Sequence, residues 1–240
     1  MIRIIFSWIV FLVLTTIFGT WGLILCFVAR GRVTRLAVRP WARLLLYSVR
    51  VKVHVKGLEN IPEEPCVIMY NHQSIFDVFA YMAVVPVEWR AIMKKEVGRM
   101  PFIGRLCKLS GHHLVSRDGS SSDGKHVKQI AKNIRSGPSV ILAPEGTRSP
   151  DGDLLPFQKG GFFIAMLAKV PVVTMVITGG REIRDRESRG INPADMHITI
   201  FPPIDVNDMP PGRKGREKLM SIVRGQMQGV LDKYNKSKSG

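Results

Sequence analysis

The pattern of apolar and polar residues along this chain changes character twice. Ile4 through Ala29 contains no charged residue. That run is longer than the roughly 20 apolar residues a helix needs to cross a bilayer. It also exceeds the ~7–15-residue apolar core of a secretory signal, and no A-x-A-like cleavage site follows it. Gly19 and Gly22 are points where the segment could bend and return to the same leaflet. Basic and apolar residues then alternate. Arg32, Arg35, Arg39 and Arg43 lie along one helical stripe with Leu36 and Leu44 beside them, and Pro40 predicts a kink or a division. A basic amphipathic segment of this kind suits the anionic headgroups at a membrane surface.

From residue 51 the pattern becomes short apolar runs alternating with helical ones. Strands are predicted over Val51–Val55, Cys66–Tyr70, Trp89–Met93, His112–Ser116, Val140–Pro144, Val170–Thr178 and His197–Phe201. Helices are predicted over Ile75–Ala83, Phe102–Ser110, Asp123–Ser136, Gly160–Ala168 and Gly215–Lys233. CVIMY, SVILA and VVTMVI are apolar without alternation, which implies strands covered on both faces. The expected fold class is α/β. A mixed, mostly parallel sheet is flanked by helices and preceded by an N-terminal membrane-associated helical segment. Residues 1–50 form that segment and residues 51–240 the folded domain.

Composition sharpens this division. The 240 residues carry a formal net charge of +16 at 45% hydrophobic content. Residues 1–58 hold nine Lys/Arg and no Asp/Glu, and residues 213–240 have a net charge of +6. The stretch between is nearly neutral, with 18 basic and 17 acidic residues. The excess thus flanks the domain. With no aromatic-plus-glycine RNA motif present, the pattern points away from nucleic acid as a partner. The positive-inside rule puts the basic collar, and the domain with it, on the cytoplasmic side of a membrane. Cys26, Cys66 and Cys107 are too few and too scattered for a disulfide framework or a zinc site.

Two polar loops carry candidate chemistry, each directly after a buried-type strand, where α/β proteins place their ligands. The first is Asn71-His72-Gln73-Ser74-Ile75-Phe76-Asp77. Ser74 and Asp77 have the spacing of a capping box, so a helix begins at Ile75. Residues five apart on a helix point about 140° away from each other. His72 therefore meets Asp77 only if it sits in the loop and folds back over the first turn. There it can act as a general base with the carboxylate fixing its tautomer. No G-x-S-x-G serine accompanies it, so direct attack by a substrate hydroxyl on an acyl donor fits better than serine hydrolysis. The bland alternative is a helix cap beside a turn histidine. The second loop is Pro144-Glu145-Gly146-Thr147-Arg148-Ser149-Pro150. Gly146 permits a tight backbone, Glu145 is suited to hold Arg148 or the loop, and the Arg148 guanidinium forms a planar fork for a phosphate. Lys94 and Lys95, and Arg117 beyond the next strand, can add positive charge at the same sheet edge.

Together these residues resemble the glycerolipid acyltransferase family, most closely its 1-acyl-glycerol-3-phosphate acyltransferases. Asn71, His72 and Asp77 match its NHxxxxD block. Glu145, Gly146, Thr147, Arg148 and Ser149 match its EGTRS block in full. Lys94-Lys95-Glu96 through Gly104 and on to Arg117-Asp118 resembles the intermediate block, and Val170-Pro171-Val172-Val173 the apolar one. His112-His113 departs from the pattern, since relatives more often carry small or apolar residues there, and this bears on substrate choice. The resemblance covers about residues 50–205 and makes residues 51–240 an acyltransferase catalytic domain.

It implies transfer of a fatty acyl group from acyl-CoA or acyl carrier protein to the sn-2 hydroxyl of 1-acyl-glycerol-3-phosphate. The product would be phosphatidate, an intermediate of phospholipid biosynthesis. His72 would be the base and Asp77 its partner. Asn71, Lys94, Lys95, Arg117 and the EGTRS residues would serve substrate binding, with no metal and no cofactor beyond the acyl donor. Membrane lipids are the expected partners and the bacterial inner membrane the expected location. Two alternatives stand beside it. One is acylation of a different acceptor, such as a lyso-ornithine lipid, another lysophospholipid or glycerol-3-phosphate. The other is a non-catalytic protein that binds anionic lipid.

Overall fold

The computed structural model describes residues 2–100, 103–115, 121–184 and 190–239. Seven strands form one sheet: β1 Lys52–Lys56, β2 Val67–Tyr70, β3 Trp89–Lys94, β4 His113–Val115, β5 Ser139–Leu142, β6 Val172–Thr178 and β7 Asp195–Ile200. Their spatial order is β1-β7-β6-β2-β5-β3-β4. β6, β2, β5, β3 and β4 run parallel, β7 runs antiparallel to β6, and β1 lies parallel to β7. The carboxyl ends of five strands therefore share one edge. Every residue of β2, β5 and β6 is buried, as their unbroken apolar runs require. β6 starts at Val172 rather than Val170, because Pro171 has no N–H to give a ladder and instead accepts from Val67 N–H at 2.9 Å.

The helices are α1 Ile2–Val28, α2 Arg39–Ser48, α3 Ile75–Val84, α4 Ile103–Leu109, α5 Ser121–Ile134, α6 Lys159–Ala168, α7 Gly180–Ile183 and α8 Gly212–Ser239. α2 and α3 close one face of the sheet over Ile68, Tyr70, Trp89, Met175 and Ile198. α5, α6 and α8 close the other over Val67, Met69, Val140 and Val176. On α8, Leu219, Val223, Met227 and Leu231 face the sheet at four-residue spacing and the charges face outward.

Two expectations about the N-terminal segment change. α1 is one 27-residue helix that runs straight through Gly19 and Gly22. Gly22 serves packing instead, since a β-carbon there would lie 3.4 Å from Leu106 and 3.6 Å from Ala37. Pro40 marks a boundary, as expected: α2 begins at Arg39 with the proline in its first turn. The residues before it, Thr34–Val38, form a π turn in which Arg39 N–H donates to Thr34 O, and the widened turn takes up the proline's missing donor. The arginine stripe also splits. Arg39 donates to Ala83 O at 3.2 Å, and Arg43 donates to the same carbonyl at 2.9 Å. Both therefore cap the C-terminus of α3. Arg32 and Arg35 remain on the exposed side.

α2 also contributes Ala42 and Leu46 to the core beneath α3. The change at residue 50 is thus one of sequence character, while packing continues across it. α1 keeps Leu12, Ile17, Phe27 and Val28 exposed. Ser7–Val28 has a mean hydropathy of 2.3, enough by length and composition to cross a membrane.

Candidate active site

The site is built where β2, β5 and β6 end side by side. After β2 the chain leaves the sheet at Asn71 and enters α3 at Ile75. Ser74 is the N-cap, with extended backbone and its Oγ accepting from Phe76 N–H. Asp77 completes the capping box: its Oδ2 accepts from Ser74 N–H at 2.6 Å and Gln73 N–H at 2.7 Å. This clamp folds the loop back over the first turn and sets His72 Nδ1 3.3 Å from the same Oδ2. The Asp77 side chain is 1% exposed and that of His72 16%. The carboxylate is thus sealed in while the imidazole reaches the surface. With Nδ1–H directed at the carboxylate, the Nε2 lone pair is left to accept a proton.

The second loop is tied to the first through the backbone. Ser149 N–H donates to His72 O at 2.8 Å, and His72 N–H donates to Glu145 Oε1 at 2.8 Å. The other Glu145 oxygen accepts from Leu155 N–H at 3.0 Å. Burial pushes the Glu145 carboxyl above its ordinary range, opposed by these two N–H donors. Ser149 Oγ donates to Asp151 Oδ1 and accepts from Gly152 N–H, both at 2.9 Å. Asn71 holds β6: its amide donates to Ile177 O at 2.9 Å and accepts from Ile177 N–H at 2.7 Å. Asn71, Glu145 and Ser149, expected to bind substrate, are therefore buried braces whose polar atoms are already occupied.

The remaining candidates point outward. Gly146 takes φ +74°, which lets the loop turn tightly with its N–H on Ala143 O at 3.0 Å. Thr147 is exposed, and Arg148 is half-buried one residue before the Ser149–His72 link. Lys94 ends β3 and Lys95 follows it; both are exposed at the same edge. β5 lies between β2 and β3, so Lys94 is about 10 Å along the edge from His72 at normal strand spacing. Arg117 lies outside the described residues.

The structure adds two residues that the motifs did not indicate. β6 ends at Gly179, with φ +89°, and the chain then turns so that Gly180 lies against Asp77. A β-carbon at 180 would fall within contact distance of Asp77 Oδ1. That oxygen is buried and has no hydrogen-bond partner among the described residues. The Gly179-Gly180 pair after an apolar strand is the one trace of this in the sequence. Beside the first turn of α3 an apolar cleft of about 160 Å³ opens between α1, α2 and α3, lined by Trp8, Phe11, Phe76 and Phe79, with Arg184 at its edge. Among the described residues there is no group of His, Cys, Asp and Glu able to hold a metal.

Comparison with known proteins gives a consistent picture. Residues 52–178 match the family model described as Acyltransferase. The chain is 32% identical over 181 residues to 1-acyl-sn-glycerol-3-phosphate acyltransferase of Cocos nucifera, covering 75% of this chain and 58% of that protein. It is 35% identical over 167 residues to 1-acyl-sn-glycerol-3-phosphate acyltransferase BAT2, chloroplastic, of Brassica napus, covering 68% and 48%. The beta form of the human enzyme of that name is 33% identical over 158 residues, covering 64% and 57%. The chain thus spans about half the length of these relatives. In fold it is similar to the crystal structure of the 1-acyl-sn-glycerophosphate (LPA) acyltransferase PlsC from Thermotoga maritima. The TM-score is 0.77 at 22% identity, over 95% of this chain and 97% of that one.

Proposed function

The chain belongs to the acyltransferase family, and on that premise we propose that it acylates the sn-2 hydroxyl of 1-acyl-glycerol-3-phosphate to give phosphatidate. The donor is a fatty thioester of coenzyme A or of acyl carrier protein. The observation that carries this reading is the His72–Asp77 pair, with the Arg148 loop hydrogen-bonded to the backbone of His72. Base and guanidinium sit on one sheet edge, as an acceptor that bears both a hydroxyl and a phosphate requires.

In this mechanism His72 Nε2 takes the proton from the acceptor hydroxyl as its oxygen attacks the thioester carbonyl. The tetrahedral adduct then collapses, the carbon–sulfur bond breaks, and the proton on His72 passes to the departing thiolate. Asp77 holds the ring in the tautomer that leaves Nε2 free and stabilises the imidazolium formed during attack. Arg148 receives the acceptor phosphate through its fork, and Lys94 and Lys95 supplement the positive field. No metal or redox group has a role in this scheme.

The lipid nature of the acceptor gives α1 a use. With α1 in the bilayer and the sheet edge at headgroup depth, a lysolipid can reach His72 while its chain stays in apolar surroundings. The aromatic cleft beside Phe76 opens on that side. The cationic collar supports a cytoplasmic position for the domain.

The decisive experiment uses the full-length protein in detergent, a radiolabelled acyl donor and a panel of lysolipids. Label is expected in phosphatidate, with lysophosphatidate the preferred acceptor. Label confined to another lysolipid or to glycerol-3-phosphate would reassign the acceptor. Vesicle binding without any transfer would identify a non-catalytic lipid-binding protein.

A further inference from the structure

The helices on the far face of the sheet carry a one-sided charge pattern that the catalytic edge does not use. Residues 124–135, the body of α5 and the residue after it, hold four Lys/Arg and no Asp/Glu. Residues 159–169, α6 and the residue after it, hold two and none. Ile130 and Ile134 of α5 turn into the core. That leaves Lys125, Lys128 and Lys132 in a row on the outer side, at spacings of three and four. All three are exposed, and none has an ion-pair partner among the described residues. Arg135, next in the row, is already engaged. It donates to Leu167 O at 2.7 Å and to Ala168 O at 3.2 Å, which ties the end of α5 to the end of α6. On α6, packed alongside, Phe163 and Leu167 are exposed.

A helix face that meets only water usually mixes both signs of charge. Like charges four residues apart, as at Lys128 and Lys132, disfavour the helix that carries them. A row of one sign beside two exposed apolar side chains is thus the make-up of a docking surface for an acidic partner.

The place of this surface in the fold says what kind of partner. α5 and α6 cover the face of the sheet opposite α2 and α3, and it is α2 and α3 that line the aromatic cleft with α1. With α1 in the bilayer, the α5–α6 surface is turned away from it and meets the water phase. Both helices also start at the catalytic edge, since α5 follows β4 and α6 follows β5. Between their first turns and the ends of β3 and β5 lies an apolar cavity of about 290 Å³, lined by Met93, Val127, Ile130, Gly146, Gly160 and Ile164. Gly146 belongs to the loop whose Ser149 is bonded to His72. A soluble protein seated on α5 and α6 therefore stands beside a cavity that reaches the catalytic loop.

Resting on the acyltransferase reading above, we propose that the outer face of α5 and α6 docks the acyl carrier protein that bears the thioester. Acidic side chains of the carrier meet Lys125, Lys128 and Lys132, and an apolar contact forms at Phe163 and Leu167. The row spans about 10 Å along α5 at 1.5 Å per residue. That spread matches acidic side chains set along a protein surface better than the clustered phosphates of one nucleotide. The soluble carrier then arrives on one face of the sheet and the lipid acceptor on the other.

The test is steady-state kinetics of the full-length protein in detergent with lysophosphatidate and, separately, acyl carrier protein thioester and acyl-CoA. One variant reverses charge, Lys128→Glu with Lys132→Glu, and another, Phe163→Ala, removes the apolar contact; thermal melting checks that each folds. Charge reversal is expected to raise the carrier KM about tenfold, with kcat, the acyl-CoA KM and the lysophosphatidate KM within about twofold of wild type. Phe163→Ala is expected to raise the carrier KM about threefold. Added salt should raise the carrier KM of the wild-type protein and leave that of the charge-reversed variant nearly constant.

An unchanged carrier KM in both folded variants, or an equal rise for carrier and acyl-CoA, overturns the docking assignment while leaving acyl transfer itself standing. Loss of binding to anionic vesicles with the carrier KM intact overturns it in favour of a membrane-facing surface. A wild-type protein that uses acyl-CoA and refuses the carrier thioester overturns it as well. A wild-type protein that transfers no acyl group from either donor removes the premise, and that result is distinct from all the others.

Discussion

Two histidines, at His72 and His112, sit beside the same sheet and are put to opposite uses. His72 leaves β2 at the carboxyl edge, where a carboxylate lies 3.3 Å from its Nδ1 and the ring reaches the surface. His112 lies just before β4, toward the other edge. Its Nδ1 accepts from Ala91 N–H at 2.9 Å, and its ring lies tilted against buried Trp89 with centroids 5.5 Å apart. A carboxylate partner makes Nδ1 the donor and leaves Nε2 as a base. A backbone N–H partner makes Nδ1 the acceptor and fixes the ring neutral. Burial, with Arg90 and His113 nearby, pushes the His112 imidazole down to about 3. The partner and the strand end, rather than the residue type, separate a reactive imidazole from a structural one. The His112-His113 departure from the family pattern accordingly falls away from the site, and His112 holds β4 against β3.

The sharpest way to break this comparison is to truncate each ring. His72→Ala is expected to lower acyl transfer about a thousandfold, the range of a lost general base, with melting temperature and vesicle binding unchanged. Activity near wild type would sink the catalytic half of the contrast. Gly180→Ala comes next. Its new β-carbon must displace the Asp77 carboxylate or push β6 away. Misplacing a catalytic group by about 1 Å can reduce rate by up to about a hundredfold. A 10- to 100-fold loss in kcat with little change in either KM is expected. The loss should nearly vanish when measured in an Asp77→Asn background, because both changes act on one carboxylate. Full additivity would show that Gly180 acts elsewhere. Arg148→Ala is expected to raise the lysophosphatidate KM about tenfold, as loss of a charge-assisted contact does. The donor KM should stay put; an equal rise in both would place Arg148 outside the phosphate site.

What the sequence disclosed follows from how local each interaction is. The His72–Asp77 meeting was legible because the capping box, the five-residue spacing and the helix start all lie within seven residues. The shared edge was legible because each polar loop follows an apolar run that could only be a buried strand. The inward turn of Asn71 was not, since its partner Ile177 is 106 residues away and is set by β2 and β6 lying side by side. Glu145 reads in the motif as a brace for Arg148 or for the loop, but which backbone donors it serves was not legible, since they are His72 N–H and Leu155 N–H, on either side of it in the chain. The contact of Gly180 with Asp77 crosses the same strand pairing. Arg39 and Arg43 show the limit most clearly. Their spacing gives a stripe, but only the position of α3 decides that the stripe meets carbonyls at Ala83 instead of lipid.

The smallest expected effect on activity comes from His112, and its consequence is for stability. His112→Ala should leave kcat and both KM values within about twofold, since the ring lies away from His72. The wild-type ring makes the fold sensitive to acid. An imidazole at about 3 in the folded protein and 6.5 when unfolded is protonated first in the unfolded chain. Stability is therefore full above pH 6.5 and declines as pH falls toward 3. One unit of difference is worth about 1.4 kcal/mol, which gives a loss of roughly 3 kcal/mol by pH 4.5. His113, held down to about 4 chiefly by burial and also by His126 and Arg90, acts in the same direction. Replacing His112 with Asn, which keeps an acceptor for Ala91 N–H without a proton to take up, should flatten this decline. Urea unfolding midpoints measured between pH 7 and pH 4.5 will show it. A variant whose midpoint falls as steeply as that of wild type would mean that the acid sensitivity originates at groups other than His112.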